Sequence, residues 1–471
     1  MSGRYSNGET KVRPGIYFRE ENGGGIELTG ASNGIVAVAF RANWGPLGEV
    51  VNLTSPAEIS VYYGDDTGEN SNVHILDKIF LGGASVIRAI RVGSGGTKAS
   101  VTLKDGAAAN VVTLTAKYAG TRALSVTIRD SLAVETQREC IIYSGTKELF
   151  KVLFDKGTAE VDSLISAVNG SSDSVVVATK VAAGDGKVGT VTQSPFTAGT
   201  SPTVANSDYS AAFSVLEATK FNSLCVDSDD SAVHVLVKSF INRANDAGLM
   251  AVAVLGEPTS VDYATRKSDA AAFNSCNVIY CLNGFEIAGE KYEGYKAAAF
   301  IAAYEAYLPS NDSLTHKIIP NATAIVGSLT NTQIIECLGS GALVFSASAS
   351  GAVWIEQGIN TLISLAANQD AGWKKIRRTK TRFELIDRIL SNTESIIGSV
   401  NNDSNGRATF VATANGVINQ MIAEGKLSSG SVYEDPSNPA KGDSAWFIIE
   451  VIDLDSIEKV YITYKFRFSE N

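Results

Sequence analysis

The stretch that most constrains this chain is its last, Phe447 to Phe468: long, apolar and strand-like, with almost nothing after it to cover it. From Val460 the side chains alternate. Val460, Ile462, Tyr464, Phe466 and Phe468 fall on one face, and Tyr461, Thr463, Lys465 and Arg467 on the other. That is the period-two pattern of a half-buried strand. Chain ends are usually polar and frayed unless something ties them down, and an uncovered apolar strand edge invites association. The end therefore either closes the chain's own sheet or pairs with a second copy of the chain. The second option points to assembly rather than catalysis.

At 471 residues the chain is long enough for several domains with sizeable cores. A hydrophobic fraction of 44% against 19% charged places it among globular proteins rather than disordered ones. Its net charge of -10 makes nucleic acid and anionic membrane poor partners for the surface as a whole. No apolar run reaches bilayer-spanning length, and MSGRYSNGETKVRPG lacks a signal-peptide core, so neither membrane insertion nor secretion is expected. Cysteines at 140, 225, 276, 281 and 337 form no disulfide framework and no paired metal-site spacing. They read as buried, reduced thiols.

Residues 1–18 read as an N-terminal arm, with Ile16, Tyr17 and Phe18 opening a strand after Pro14-Gly15. Residues 19–95 read as the first part of an α/β core. Ile35–Phe40 is an unbroken apolar run that needs cover on both faces. Ser55-Pro56-Ala57-Glu58 carries the signature of a helix start, with Ser as cap, proline at the first position and Glu at the third. Residues 96–203 switch to short alternating strands and glycine-rich turns, a small β-rich inserted domain. Strand and helix alternate again over 204–350, with strands expected at Ser223–Val226, Met250–Leu255 and Asn277–Leu282. A C-terminal core domain (351–454) with a helix at Thr381–Ser399 and a C-terminal β-arm (455–471) complete the chain. The expected fold is thus α/β multidomain: a mixed-sheet α/β core with helices on both faces, a β-rich insertion, and extended N- and C-terminal β-arms.

Signals for chemistry are weak. His74, His234 and His316 stand far apart, and no nucleophile elbow, Walker sequence or dinucleotide fingerprint is present. No catalytic residue, cofactor or metal is assigned, and the chain reads as no enzyme. Asp227-Ser228-Asp229-Asp230 has the composition of a cation loop, but it lies between a strand and a helix, where capping explains it at least as well. Lys374, Lys375, Arg377, Arg378, Lys380 and Arg382 crowd into nine positions of an acidic chain. They read either as a solvated loop or as a docking patch for an acidic protein surface.

Several segments together resemble the contractile tail sheath proteins of bacteriophages and phage-derived particles. They are Pro14-Gly15-Ile16-Tyr17, Leu114 to Arg122, Ser313-Leu314-Thr315, Val353–Glu356 followed by Gly358-Ile359-Asn360-Thr361-Leu362, and Asp455 to Tyr461. The stretch Leu124–Arg129 departs somewhat from that pattern. The resemblance implies a structural subunit that polymerises with its own kind as a helical sleeve around an inner tail tube. It implies contacts with tube, baseplate and tail terminator proteins, and a place in a virion tail assembled in the bacterial cytoplasm. It also implies that the terminal arms add strands to neighbouring subunits, and that contraction drives the tube through a cell envelope. On that reading Ile16, Tyr17, Phe18, Val460, Ile462, Tyr464, Phe466 and Phe468 are inter-subunit arm residues, and the basic cluster faces the tube. The competing expectation is a cell-surface or adhesion protein whose β-rich domain binds a ligand.

Overall fold

The computed structural model describes residues 2–4, 11–18, 33–65 and 71–466. It divides into two compact units, one made of residues 37–80 and 86–219, the other of residues 1–36, 81–85 and 220–471. The early core segment therefore groups with the β-rich segment rather than with the α/β residues after 220.

In the first unit, Val86–Arg91 runs antiparallel to Val50–Leu53, with Val50 opposite Ile90 and Leu53 opposite Ile87. The helix Pro56–Tyr62 begins where the sequence signature put it. The Glu58 carboxylate turns back to accept from the Thr54 and Ser55 amides, and these backbone bonds hold it below the usual carboxylate range. The β-rich part is two antiparallel sheets. One runs Lys147–Asp155, Gln137–Ser144, Ser125–Asp130, Val191–Pro195; the other runs Val176–Lys180, Asn110–Ala119, Lys98–Lys104. Their alternating apolar faces and the helix Glu160–Gly170 enclose one core containing Leu114, Val126, Ile142, Phe154 and Leu164.

In the second unit three parallel strands, Ser223–Val226, Val252–Gly256 and Val278–Cys281, lie side by side, fully buried along their lengths. Burial of every residue is what a parallel strand covered on both faces requires. The helices Ser231–Asp246, Tyr263–Phe273 and Tyr295–Tyr307 alternate with them in the chain. The last is alanine-rich, and Ala297 to Ala303 are all buried. A small sheet follows, Glu290–Tyr292, Gly284–Ile287 and Ala322–Val326, where Phe285 meets Tyr292, Phe300 and Phe345 at centroid distances of 5.2, 5.3 and 5.0 Å. These short strands and the helix Asn331–Gly339 were not expected from sequence.

The C-terminal part is built from two helices, Ile376–Thr393 and Ser404–Ala423, and a hairpin of Leu427–Glu434 with Phe447–Asp453. The inner side of the hairpin and the second helix share a small core of Ala414, Ile418, Leu427 and Val432. Two expectations are corrected here. The first helix starts at Ile376 rather than Thr381, so the basic cluster is not a solvated loop. The last strand stops at Asp453: residues 454–466 form no strand, and no described strand pairs with them.

Candidate functional site

The tail beyond Asp453 is exposed on both of its alternating faces. Val460 is 71% exposed, Ile462 65%, Tyr464 73% and Phe466 81%, while Tyr461 on the opposite face is 91% exposed. A half-buried strand of this subunit would cover one set and not the other. The apolar pattern is therefore present without its sheet. Phe468 lies outside the described residues. At the other end, Ile16–Phe18 pairs in parallel with Ser2–Arg4 of the same chain, setting Gly3 opposite Tyr17. Gly3 is buried, and a Cβ there would lie 3.6 Å from both the Asp246 carbonyl and the Tyr17 ring. Ile16, Tyr17 and Phe18 are half-buried in this arrangement.

The basic cluster is drawn into the subunit. Lys374 Nζ donates to the Ile363 carbonyl at 2.9 Å. Lys375 Nζ stands 2.5 Å from Asp455 and 3.2 Å from Glu458. Arg377 is buried. Arg378 grips both carboxylate oxygens of Asp453, with Nη2 to Oδ1 at 2.7 Å, and reaches Asp370 at 3.3 Å. Burial pulls the Arg378 guanidinium down, but Asp453, with Asp370 and Asp455 behind it, outweighs this and holds it above its ordinary value. Lys380 is paired with Glu305 and bonded to its carbonyl, and burial still depresses its ammonium. The Arg382 guanidinium lies flat over Trp373 at 3.8 Å. No member of the cluster falls in the exposed class, so an open docking face for an acidic partner is not what these residues form.

Farther along the same helix a compact ion network forms. Glu384 pairs with Arg388 and, at 2.7 Å, with Lys426, while Glu424 meets Arg388 and Lys426 at 3.1 and 2.9 Å. Sequence reasoning missed this network, because although Glu384 and Arg388 are four positions apart on one helix, Glu424 and Lys426, which complete it, are remote from both.

The acidic loop acts as a pair of helix caps. Asp230 accepts from the Ala232 amide at 2.8 Å, and Asp229 accepts from the Tyr295 amide at 2.7 Å, capping a second helix. Asp227 is fully buried. Among the described residues no group of His, Cys, Asp and Glu is disposed to hold a metal, and no helix is long and apolar enough to cross a membrane. His234 is buried with Nε2 2.9 Å from the Ser228 carbonyl, and His316 stacks on Trp354 at 3.9 Å. Burial pushes the Cys140 thiol up to about 12 and raises those of Cys225 and Cys281 as well, leaving them unreactive.

What these features define is a protein whose apolar, strand-patterned segment 460–466 is uncovered and lies beyond its last described strand. Residues 203–361 match the model of the phage tail sheath protein central domain. Over this segment the chain is similar to that family. The phage-like element PBSX protein XkdK of Bacillus subtilis (strain 168) is 22% identical, the match covering 98% of each chain. The crystal structure of a sheath tail protein from Desulfitobacterium hafniense superimposes with a TM-score of 0.69 at 20% identity, over 93% of this chain and 100% of that one. The helical sheath of the anti-feeding prophage in its contracted state gives 0.56 at 9% identity, over 97% of this chain and 99% of that one. The chain has the sheath-protein fold, and the comparisons support a structural role in a tail sheath.

Proposed function

We propose that this chain is the repeating subunit of a contractile tail sheath, polymerising as a helical sleeve around an inner tube and contracting to drive that tube through a cell envelope. The observation that carries the reading is the tail 460–466, whose apolar side chains alternate with the period of a strand and are all uncovered. Its natural cover is the edge of a sheet in a second copy. Among the described residues the C-terminal hairpin is two-stranded, so each of its strands has a side where one could be added. Strand addition takes affinity from backbone pairing and specificity from alternate side chains. Burying each of Val460, Ile462 and Phe466 contributes about 1.5–3 kcal/mol, and ordering the chain costs about 1–2 kcal/mol per residue. The surplus per link is small, and repetition along a polymer makes it sufficient.

In this reading Ile16, Tyr17 and Phe18 exchange their pairing with Ser2–Arg4 for a neighbour's strand during assembly. The partners are further sheath subunits, the tube, the baseplate and the terminator, in a virion tail built in the bacterial cytoplasm. The role is structural rather than enzymatic. The tube contact by residues 374–382 is not carried forward, since Lys375, Arg378 and Lys380 are engaged with carboxylates of their own chain.

Replacing Ile462 and Tyr464 by Asp tests the reading. These side chains are exposed in the subunit, so the variant is expected to fold with an unchanged melting temperature and to stay a monomer by sedimentation while the parent chain forms striated polymers. Normal polymers from the variant would refute arm exchange. A parent chain found only as monomer beside assembled tubes would refute the sheath role.

A further inference from the structure

The tail does not become free at the end of the hairpin. After Asp453, three acidic side chains of the tail's root, Asp453, Asp455 and Glu458, are held by two cations one helical turn apart, Lys375 and Arg378. Glu458 is the innermost: its side chain is only 8% exposed. Its Oε1 accepts from the Thr315 hydroxyl at 3.0 Å and its Oε2 from the Gln357 amide at 3.0 Å. The Thr315 hydroxyl in turn accepts the Gly358 amide at 3.0 Å. Gly358 is needed for this approach, since a Cβ there would lie 3.1 Å from Leu314 Cβ and 3.2 Å from the Thr315 nitrogen. Immediately beyond, Val460 is 71% exposed. The change from held to free falls within two residues.

We infer that Lys375 and Arg378 are positioning residues for assembly: a charge clamp that fixes the tail's exit point at Glu458, so that only the apolar segment beyond it is offered to a neighbour. A charged, hydrogen-bonded anchor suits this task. Bidentate and multiply bonded carboxylates fix orientation as well as distance, whereas an apolar root would slide. An arm with a fixed origin also has a far higher effective concentration at its target than one swinging from the hairpin. The assembly part of this inference rests on the sheath reading; the clamp itself does not.

The experiment is limited trypsin digestion of the monomeric Ile462→Asp/Tyr464→Asp chain, following cleavage after Lys459 by mass spectrometry. Cleavage of a locally opened segment tracks the open population. Lys375→Glu is expected to raise the rate at Lys459 about tenfold while cleavage after Lys465 is unchanged. Lys375→Arg should restore protection, as should the exchanged pair Arg378→Asp with Asp453→Arg relative to Arg378→Asp alone. Should Lys375→Glu fail to fold, Asp455→Asn with Glu458→Gln removes both partners of Lys375 from the tail side. Unchanged cleavage at Lys459 in every variant overturns the clamp. With the native tail, Lys375→Glu should give fewer and shorter polymers than Lys375→Arg. Equal polymer yield from the two, despite faster cleavage, overturns the positioning role. If the parent chain forms no polymer, the sheath reading fails and the digestion result still decides the clamp.

Discussion

Asp229 shows how much one side chain can carry in this fold. Burial raises its carboxyl to about 6, and Glu257, Glu293 and Asp227 add to the shift, although the Tyr295 amide at the end of a helix favours the charged form. The turn is tight: Gly294 sits at φ +57, and a Cβ there would lie 2.4 Å from Asp229 Oδ1. A carboxyl whose folded value lies above the unfolded value near 4 destabilises the fold most above about pH 6, and the penalty disappears as the pH falls below about 4. Asp229→Asn keeps the capping oxygen and removes the charge. It is expected to stabilise the chain by about 2 kcal/mol at pH 7.5 and to be neutral at pH 4, read as thermal melts at the two values. The local cap by Asp230 was legible in the sequence, because an acidic residue before a helix satisfies its free amides; the bond from Tyr295 to Asp229, 66 positions away, was not. The roles of Lys375 and Arg378 were not legible: Asp455 stands 80 positions from the first and Asp453 75 from the second, and nothing local marks either pair.

At the scale of the element, the helix Ile376–Thr393 is the clearest case of tertiary context overriding a local signal. Six cations close together argue against a helix on their own, yet the helix includes most of them. Carboxylates from three other segments, Glu305, Asp370 and Asp453, neutralise Lys380 and Arg378. The pairing of Lys380 with Glu305 is nearly dry, with side-chain exposures of 12% and 4%. Lys380→Ala should therefore cost about 3–5 kcal/mol by leaving a buried carboxylate without its cation, measured by urea unfolding. Lys380→Met with Glu305→Gln should recover most of the loss. The strands Ser223–Val226, Val252–Gly256 and Val278–Cys281 were readable because each is a short, mostly apolar run that the fold buries throughout. The three- to five-residue strands around Phe285 were not, since so short an apolar run carries no period. The tail carries the period-two pattern of a strand in its sequence, but residues 454–466 form no strand in the subunit, and no described strand pairs with them.

At the scale of the whole molecule, the sheath reading makes each chain both a donor and an acceptor of an arm. A chain ending at Glu458 keeps its hairpin and its clamp and loses only what it would donate. It is expected to fold, to join a growing polymer and to stop growth there. Mixed with the full chain in increasing proportion, it should shorten polymers progressively in electron micrographs. Unchanged lengths at equal proportions would count against donation by the tail. The resemblance to tail sheath proteins was legible from scattered segments such as Gly358 to Leu362, and the structure gives Gly358 a reason, the close approach to Thr315.

The exposed segment 459–466 is also a leash. Fully extended, it reaches at most about 28 Å, and part of that length is taken by whatever pairing holds its far end. Because the root is pinned at Glu458, slack cannot be drawn from the hairpin. Two neighbours joined through residues 460–466 can turn about one another within that radius, and a larger separation must tear either the knot at one end or that pairing at the other.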